Sequence, residues 1–252
     1  MIFVIPRGDT VYIGTTDTKF ERGKDKLHVL ENEVEYLIES VKNIFSVSMD
    51  KKDVISSWVG LRPLVKDGNK KVTEISRKDE IFISKKGLIT IAGGKLTGYR
   101  KMAQRAVDFA IRSLKIRKIK SKTKSIKLFT YDEDFCRKKF NDNGISDKKF
   151  KRLYNIYGDG CLKILEISKQ EKISDNFIIA EYLYVRRNEM CHTLLDFFSQ
   201  RNSGVYFEID QIKRYVKILE NYIRKNNSFS KDKWEKEKLS LQQYISNLTT
   251  FI

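Results

Sequence analysis

The sequence is poor in several residue types, and each shortage argues against a class of protein. Its 252 residues include only two prolines and 13 glycines, which excludes collagen-like and low-complexity chains. The three cysteines, Cys136, Cys161 and Cys191, form no CxxC pair, so we expect no disulfide framework or zinc ribbon, and a reducing cytosol is favoured. The two histidines, His28 and His192, lie far apart in the chain. We therefore predict no metal site and a structural role for His192.

Several motifs are also missing. No GxGxxG occurs, so no dinucleotide pyrophosphate site can be placed in this chain. The string Gly94-Lys95-Leu96-Thr97 resembles the end of a phosphate-binding P-loop, but Ile89 replaces the first glycine and Leu96 replaces the required Ser or Thr. The longest uncharged run, 239–252, is too short and too polar to span a bilayer, and the first residues lack the basic region of a signal peptide. A nucleotide triphosphatase and an integral membrane protein are both disfavoured.

Positive charge is abundant and unevenly distributed. The formal net charge is +17, and residues 1–127 carry 28 Lys and Arg against 15 Asp and Glu. Segment 115–127 holds seven basic residues and no acidic one. The segment is either a solvated linker or a contact for an anionic membrane or nucleic acid. Nucleic acid is the weaker option because no aromatic residue interrupts the run, and we expect no nucleic-acid partner.

Hydrophobic periodicity predicts strands and helices in the first half. The pattern predicts a helix whose one face carries the apolar residues Val34, Leu37, Ile38, Val41, Ile44 and Phe45. An extended stretch should follow it. Five runs favour β-strands: Phe3–Pro6, Val11–Thr15, Val72–Ser76, Glu80–Ser84 and Leu88–Ala92. The first two should form a hairpin, and the last should be a buried strand. The extended stretch is Asp53–Leu64.

The second half has helical periodicity only. Apolar stripes include one that ends at Gly158, a long pattern over Ile178–Ser199, a stripe from Ile212 to Ile223, and a last helix near Lys231–Leu248. We predict a domain at 1–114, a basic linker at 115–128 and an all-α domain at 129–252.

The junction after the fifth strand is the most informative local feature. Gly93 and Gly94 end the strand, and a helix should follow with Thr97 as its N-cap. Glycines let a ligand approach the backbone, and a helix start offers unpaired N–H groups with partial positive charge. Three cations near strand ends are either ordinary surface charge or, if they converge, an anion pocket: Arg62, Arg77 and Lys95.

Five separated strings resemble the FAD-dependent glycerol-3-phosphate dehydrogenases and oxidases in order and spacing. A sixth match, from Ala180 to Asp196, is similar to the helical C-terminal domain of that family. The five strings are Ile2–Arg7, Ile13–Thr18, Ser56–Leu64, Ile75–Glu80 and Ile89–Lys101.

The resemblance implies an α+β fold in which an incomplete FAD- and substrate-binding domain with a mixed β-sheet precedes the all-α domain. The family's N-terminal Rossmann unit with GxGxxG has no counterpart here. The chain is therefore expected to be a C-terminal portion that needs an N-terminal FAD-binding half and does not hold FAD tightly alone.

The implied reaction is oxidation of sn-glycerol 3-phosphate to dihydroxyacetone phosphate, with electrons passed to quinone or oxygen. By resemblance, Arg62 binds the substrate phosphate with Arg77 close by, and Lys95 lies beside flavin and substrate, so that Arg62 and Lys95 are the candidate catalytic residues. The candidate cofactor contacts, with FAD as the cofactor, are Gly93, Gly94, Leu96, Thr97 and Thr16.

Two alternatives remain at this point. The chain could be a non-catalytic remnant or helical interaction module without FAD, or a basic nucleic-acid-binding protein. The expected location is cytoplasmic, with peripheral contact at the inner face of the membrane.

Overall fold

A computed structural model describes residues 2–18, 23, 27–61, 79–117, 119–173, 177–226 and 230–251. By contacts the chain divides into two compact units. The first unit joins residues 1–59 to 129–252, and the second comprises residues 60–128.

The chain opens with the expected hairpin. Strand β1 (Phe3–Arg7) pairs antiparallel with β2 (Thr10–Gly14) in the register Phe3 to Gly14 and Arg7 to Thr10. The Thr10 hydroxyl donates to the Arg7 carbonyl at 2.9 Å across the turn. A short turn with Gly8 at φ +63° closes the hairpin, as the Arg-Gly-Asp sequence predicted.

Helix α1 spans Glu31–Phe45 and buries one narrow face. Val34, Ile38 and Val41 are buried at i, i+4 and i+7, as the periodicity predicted. Ile44 and Phe45, which were expected on the same face, are exposed, because the buried face ends one turn earlier.

The second unit contains a hairpin and a helix. Strand β3 (Asp79–Ile83) pairs antiparallel with β4 (Ile89–Gly93), each one residue away from its predicted position. Helix α2 spans Tyr99–Ser113. None of the described residues of this unit is buried, and Leu88, expected at the start of a buried strand, is 67% exposed. The predicted strand Val72–Ser76 lies outside the described residues.

The first unit also contains a helical core. Its helices are α3 (Glu133–Asn141), α4 (Asp147–Tyr157), α5 (Cys161–Gln170), α6 (Phe177–Asn188), α7 (Gly204–Phe207), α8 (Ile212–Lys225) and α9 (Lys231–Thr249). Phe140, Phe150, Leu153 and Phe197 are fully buried at its centre. Helix α4 ends at Gly158, as predicted, and this glycine has φ +55° and ψ −137°. The expected α+β fold with a helical C-terminal domain is confirmed; the described strands form two separate antiparallel pairs.

The pattern over Ile178–Ser199 is not one helix. Helix α6 ends at Asn188, Met190 has a left-handed φ of +49°, and a new helical segment begins after Thr193. Thr193 Oγ1 accepts from the Asp196 N–H and Asp196 Oδ2 accepts from the Thr193 N–H, both at 3.0 Å. This reciprocal pair starts a helix, so the apolar period continues across a break.

Residues 1–59 pack against the helices of the same unit. The Ser57 N–H donates to the Leu248 carbonyl at 2.8 Å, and the Ser56 hydroxyl donates to the Tyr206 carbonyl at 2.7 Å. The Trp58 ring lies 5.0 Å from the Tyr206 ring, centroid to centroid. Sequence pattern does not reveal such long-range contacts. The predicted domain boundaries, 1–114, 115–128 and 129–252, stay a prediction.

Candidate functional site

The junction between β4 and α2 has the sharp turn expected from its two glycines. Gly93 and Gly94 both have φ of +80°, and Lys95 returns to extended backbone. A Cβ at Gly94 would lie 2.7 Å from Met102 Sδ and 3.2 Å from Asp79 Cβ. Glycine is required here because both the dihedral and the close approach of α2 exclude a side chain.

The helix start differs from the sequence prediction in one respect. A 3₁₀ turn over Leu96–Gly98 precedes α2, so the N-cap of α2 is Gly98 and not Thr97. Thr97 lies inside that turn, and no side-chain capping bond is formed at either position. The expectation of a Thr97 cap was wrong because the 3₁₀ turn before α2 moves the N-cap one residue along the chain, from Thr97 to Gly98.

Free backbone donors collect at this helix start. Among the described residues, no acceptor is present for the amide N–H groups of Lys95, Leu96 and Thr97. The side chains of these residues are exposed, and that of Leu96 is 91% exposed. The junction therefore presents three N–H donors, one cation and an uncovered aliphatic side chain on an accessible surface.

An ion pair joins α2 to β3 next to the junction. The Arg105 guanidinium of α2 forms an ion pair with the Asp79 carboxylate at the start of β3. Asp79 pairs in register with Gly93. The ion pair thus links α2 to the strand beside the glycine turn, and it fixes the direction in which the helix start points.

Thr16 belongs to the first unit, and its anchor was not anticipated from the sequence. The Thr16 hydroxyl donates to Glu33 Oε1 at 2.8 Å, and the Thr18 hydroxyl donates to the same oxygen at 2.5 Å. Glu33 lies in the first turn of α1. A threonine-rich loop before an acidic first helical turn is the signal that could have predicted this contact.

The other two predicted cations cannot be placed beside Lys95. Arg62 and Arg77 lie outside the described residues, so their convergence with Lys95 stays a prediction. Among the described residues, no group of three His, Cys, Asp or Glu side chains is arranged to hold a metal ion. None of the described helices combines the length and apolar composition needed to cross a bilayer.

Comparison with known proteins defines the class. Residues 1–100 match the family model described as FAD dependent oxidoreductase, and residues 121–233 match the C-terminal domain of alpha-glycerophosphate oxidase. The junction described above falls at the end of the first match. The chain thus matches the FAD dependent oxidoreductase model in its first part and the model of the C-terminal domain of alpha-glycerophosphate oxidase in its second part.

Individual relatives narrow the class to a family. The chain is 34% identical to the aerobic glycerol-3-phosphate dehydrogenase of Staphylococcus haemolyticus over 92% of its length and 36% identical to that of Bacillus subtilis over 85%. A solved glycerol-3-phosphate dehydrogenase from Bacillus halodurans, complexed with FAD, superimposes on 99% of the chain with a TM-score of 0.80 and 28% identity. The resemblance of the chain to FAD-dependent glycerol-3-phosphate dehydrogenases and oxidases is confirmed.

The match is partial with respect to the relatives. The chain spans 46% of the Staphylococcus haemolyticus protein, 42% of the Bacillus subtilis protein and 51% of the Bacillus halodurans structure.

Proposed function

We propose that this chain forms the flavin-facing and substrate-phosphate-binding portion of an enzyme that oxidises sn-glycerol 3-phosphate to dihydroxyacetone phosphate. The observation that carries the proposal is the β4–Gly93-Gly94–Lys95 junction, which directs free N–H donors and a cation outward from a helix start. The family match supports the same role for this strand, turn and helix.

The residues at the junction suit a flavin ring. A flavin has a flat ring whose edge carries carbonyl and nitrogen acceptors, and exposed amide groups of Lys95, Leu96 and Thr97 can donate to such an edge. Gly93 and Gly94 keep side chains away from the approach, and Thr16 is the proposed contact from the first unit. FAD, when bound, accepts the hydride from C2 of the substrate.

The proposed cations perform two tasks. Arg62 and Arg77 bind the phosphate of the substrate, since the planar guanidinium matches phosphate oxygens through paired hydrogen bonds. Lys95 supplies a compact positive charge beside flavin and substrate, where it favours the electron-rich reduced flavin. Lys95 is the residue on which we expect kcat to depend most, and Arg62 is the residue on which we expect KM to depend most.

Electrons then pass to quinone or to oxygen. The proposed protein partner is an N-terminal half that binds FAD. We also propose a cytoplasmic location with peripheral contact at the inner face of the membrane. The net charge of +17 supports that contact, because the cytoplasmic leaflet carries negative charge.

A second candidate rests on the distribution of buried side chains. Apart from three α1 positions, every buried hydrophobic residue among the described ones lies at or beyond Cys136. The helical part therefore has its own core and could persist as an interaction module without FAD. That alternative predicts a folded chain with no dependence on flavin or glycerol phosphate.

The deciding experiment restores the rest of the enzyme. The chain is mixed with the part of the Bacillus subtilis relative that it does not match, and it is also fused to that part in one polypeptide. We expect dye reduction that requires FAD, sn-glycerol 3-phosphate and both parts. Lys95→Ala should lower kcat at least tenfold, on the order expected for loss of one charge-stabilising group. Lys86→Ala, an exposed lysine in the β3–β4 turn, is the matched control. An inactive fusion, or full activity in Lys95→Ala, would contradict the proposal.

A further inference from the structure

The segment that follows α2 is exposed and strongly basic. We define it as residues 114–128. It contains six described cations, all exposed, and within the described residues none of them forms an ion pair. The six are Lys115, Arg117, Lys120, Lys122, Lys124 and Lys127.

The same segment exposes aliphatic side chains between the cations. Each of them is more than half exposed, and Leu128 is 80% exposed. Isolated exposed apolar residues are ordinary, but five within 15 residues, interleaved with six cations, form an amphiphilic surface. These side chains are Leu114, Ile116, Ile119, Ile126 and Leu128.

The segment is attached to the second unit and is not a free tail. The Ile116 N–H donates to the Ile111 carbonyl at 3.0 Å, just beyond the end of α2. The Ser125 N–H donates to the Lys122 carbonyl at 3.0 Å and closes a turn. Arg100 of α2 donates to Thr123 Oγ1 at 3.3 Å. The cations and aliphatic side chains are therefore displayed from a partly ordered backbone.

We propose that segment 114–128 binds the surface of an anionic lipid bilayer. Lysine and arginine attract the negative headgroups, while the isoleucine and leucine side chains enter the headgroup–acyl boundary. Nucleic acid is disfavoured because its phosphates offer no receptor for five exposed aliphatic side chains, and no aromatic residue at 115–127 can stack on bases. The inference deepens the peripheral location proposed above and needs none of the enzymatic part of that proposal.

Vesicle binding by the intact chain tests the proposal without FAD, substrate or turnover. The probes are vesicles of phosphatidylcholine with phosphatidylglycerol, vesicles of phosphatidylcholine alone, and a labelled DNA duplex. We expect binding to the anionic vesicles and much weaker binding to the neutral ones. The triple variant Lys120→Gln, Lys122→Gln, Lys124→Gln should bind anionic vesicles about a hundredfold more weakly, at about fivefold per lysine.

Two further variants separate lipid insertion from simple charge attraction. Ile119→Ser with Ile126→Ser keeps every charge and should weaken vesicle binding on the order of tenfold. The control replaces three exposed lysines of the helical part, Lys163→Gln, Lys213→Gln and Lys217→Gln, and should bind like the unaltered chain. Circular dichroism confirms that each variant is folded. Absence of vesicle binding by the unaltered chain, undiminished binding by the serine variant, or equal loss in the control would overturn the proposal. Binding to DNA but not to vesicles would assign the segment to nucleic acid instead.

Discussion

Arg152 donates from Nη1 to Oε1 of Glu181 at 2.7 Å, within a helical core where the Glu181 side chain is only 2% exposed. Arg152 Nε donates to Glu208 Oε1 at 2.9 Å, and the Tyr157 hydroxyl donates to Glu181 Oε2 at 3.2 Å. Burial raises the pKa of Glu181 above its ordinary value, although Arg152 and Tyr157 oppose the shift. A buried carboxylate is thus tolerated because one arginine neutralises it.

Removing that arginine should destabilise the fold strongly. Arg152→Met leaves Glu181 buried without a cation, and the free energy of unfolding should fall by about 3–5 kcal/mol. Urea denaturation measures the loss. Arg187→Met is the control, because Arg187 is 53% exposed and lies 3.4 Å from Glu171, so its loss should cost less than about 1 kcal/mol.

The deficit of Arg152→Met should depend on pH in a defined direction. A carboxyl group with a folded pKa above its unfolded value favours folding at low pH and loses that contribution as pH rises through the folded pKa. Without Arg152 the pKa of Glu181 rises further, so the deficit should shrink as pH is lowered toward the ordinary glutamate value. The double variant Arg152→Met, Glu181→Leu should recover most of the stability. A deficit that is constant with pH and persists in the double variant would show that the charge of Glu181 is not its cause.

Asp196 should make the stability of the fold depend on pH in the direction opposite to that of Glu181. Although burial opposes it, hydrogen bonds from the His192 and Thr193 amides hold the pKa of Asp196 below its ordinary value. Its stabilising contribution is present above the unfolded pKa and is lost as pH falls through the folded pKa. Asp196→Asn should therefore be less stable than the unaltered chain at neutral pH, and the difference should narrow on acidification. Unfolding curves over an acid pH series measure this, with exposed Asp210→Asn as the control; a difference that widens at low pH would refute the assignment.

The helix terminus at Gly158 should be sensitive to any side chain. Gly158 has φ +55° and ψ −137°, and a Cβ there would lie 2.4 Å from Cε1 of the Phe129 ring. Gly158→Ala should lower the free energy of unfolding by about 2 kcal/mol or more, from backbone strain and displaced packing together. Gly144→Ala is the matched control, since Gly144 has φ +68° but no atom within 4 Å of its added Cβ. Equal losses at the two positions would show that the Phe129 contact contributes nothing.

The local sequence pattern was sufficient to predict where the helices lie, but not which elements pack against each other. The period of 3.6 predicted α8 and α9 because their apolar stripes face one continuous core. The break after α6 does not appear in the hydrophobic period, because the apolar spacing continues across it. The signal that marks the break is the spacing of Thr193 and Asp196, which is that of a capping box. The run at Leu88–Ala92 predicted a buried strand, yet β4 pairs with only one described strand. Sequence pattern indicates which residues could be covered, whereas the covering elements depend on long-range packing.

In the candidate site, too, some features follow from the local sequence and others depend on packing. The pair Gly93-Gly94 predicted the end of a strand, and β4 ends at Gly93 with both glycines at φ +80°, a backbone that glycine adopts without strain. The N-cap is Gly98 rather than Thr97, because no strong local signal in the sequence encodes the single 3₁₀ turn that precedes α2. The anchoring of Thr16 by Glu33 depends on how α1 packs, 17 residues away in sequence.

Arg62 gives the sharpest kinetic prediction for the restored enzyme. If its guanidinium binds the phosphate of sn-glycerol 3-phosphate in a desolvated pair, Arg62→Ala should weaken substrate binding by roughly 2–4 kcal/mol. The loss should raise KM and leave kcat comparatively unchanged, because the phosphate contact is made equally in ground and transition states. Lys95→Ala should show the reverse split, since its charge is needed where negative charge develops. Steady-state kinetics with glycerol phosphate as the varied substrate separate the two, and exposed Arg214→Ala in α8 serves as the control. An unchanged KM in Arg62→Ala would remove this residue from the phosphate site and leave the substrate anion to Arg77 and Lys95.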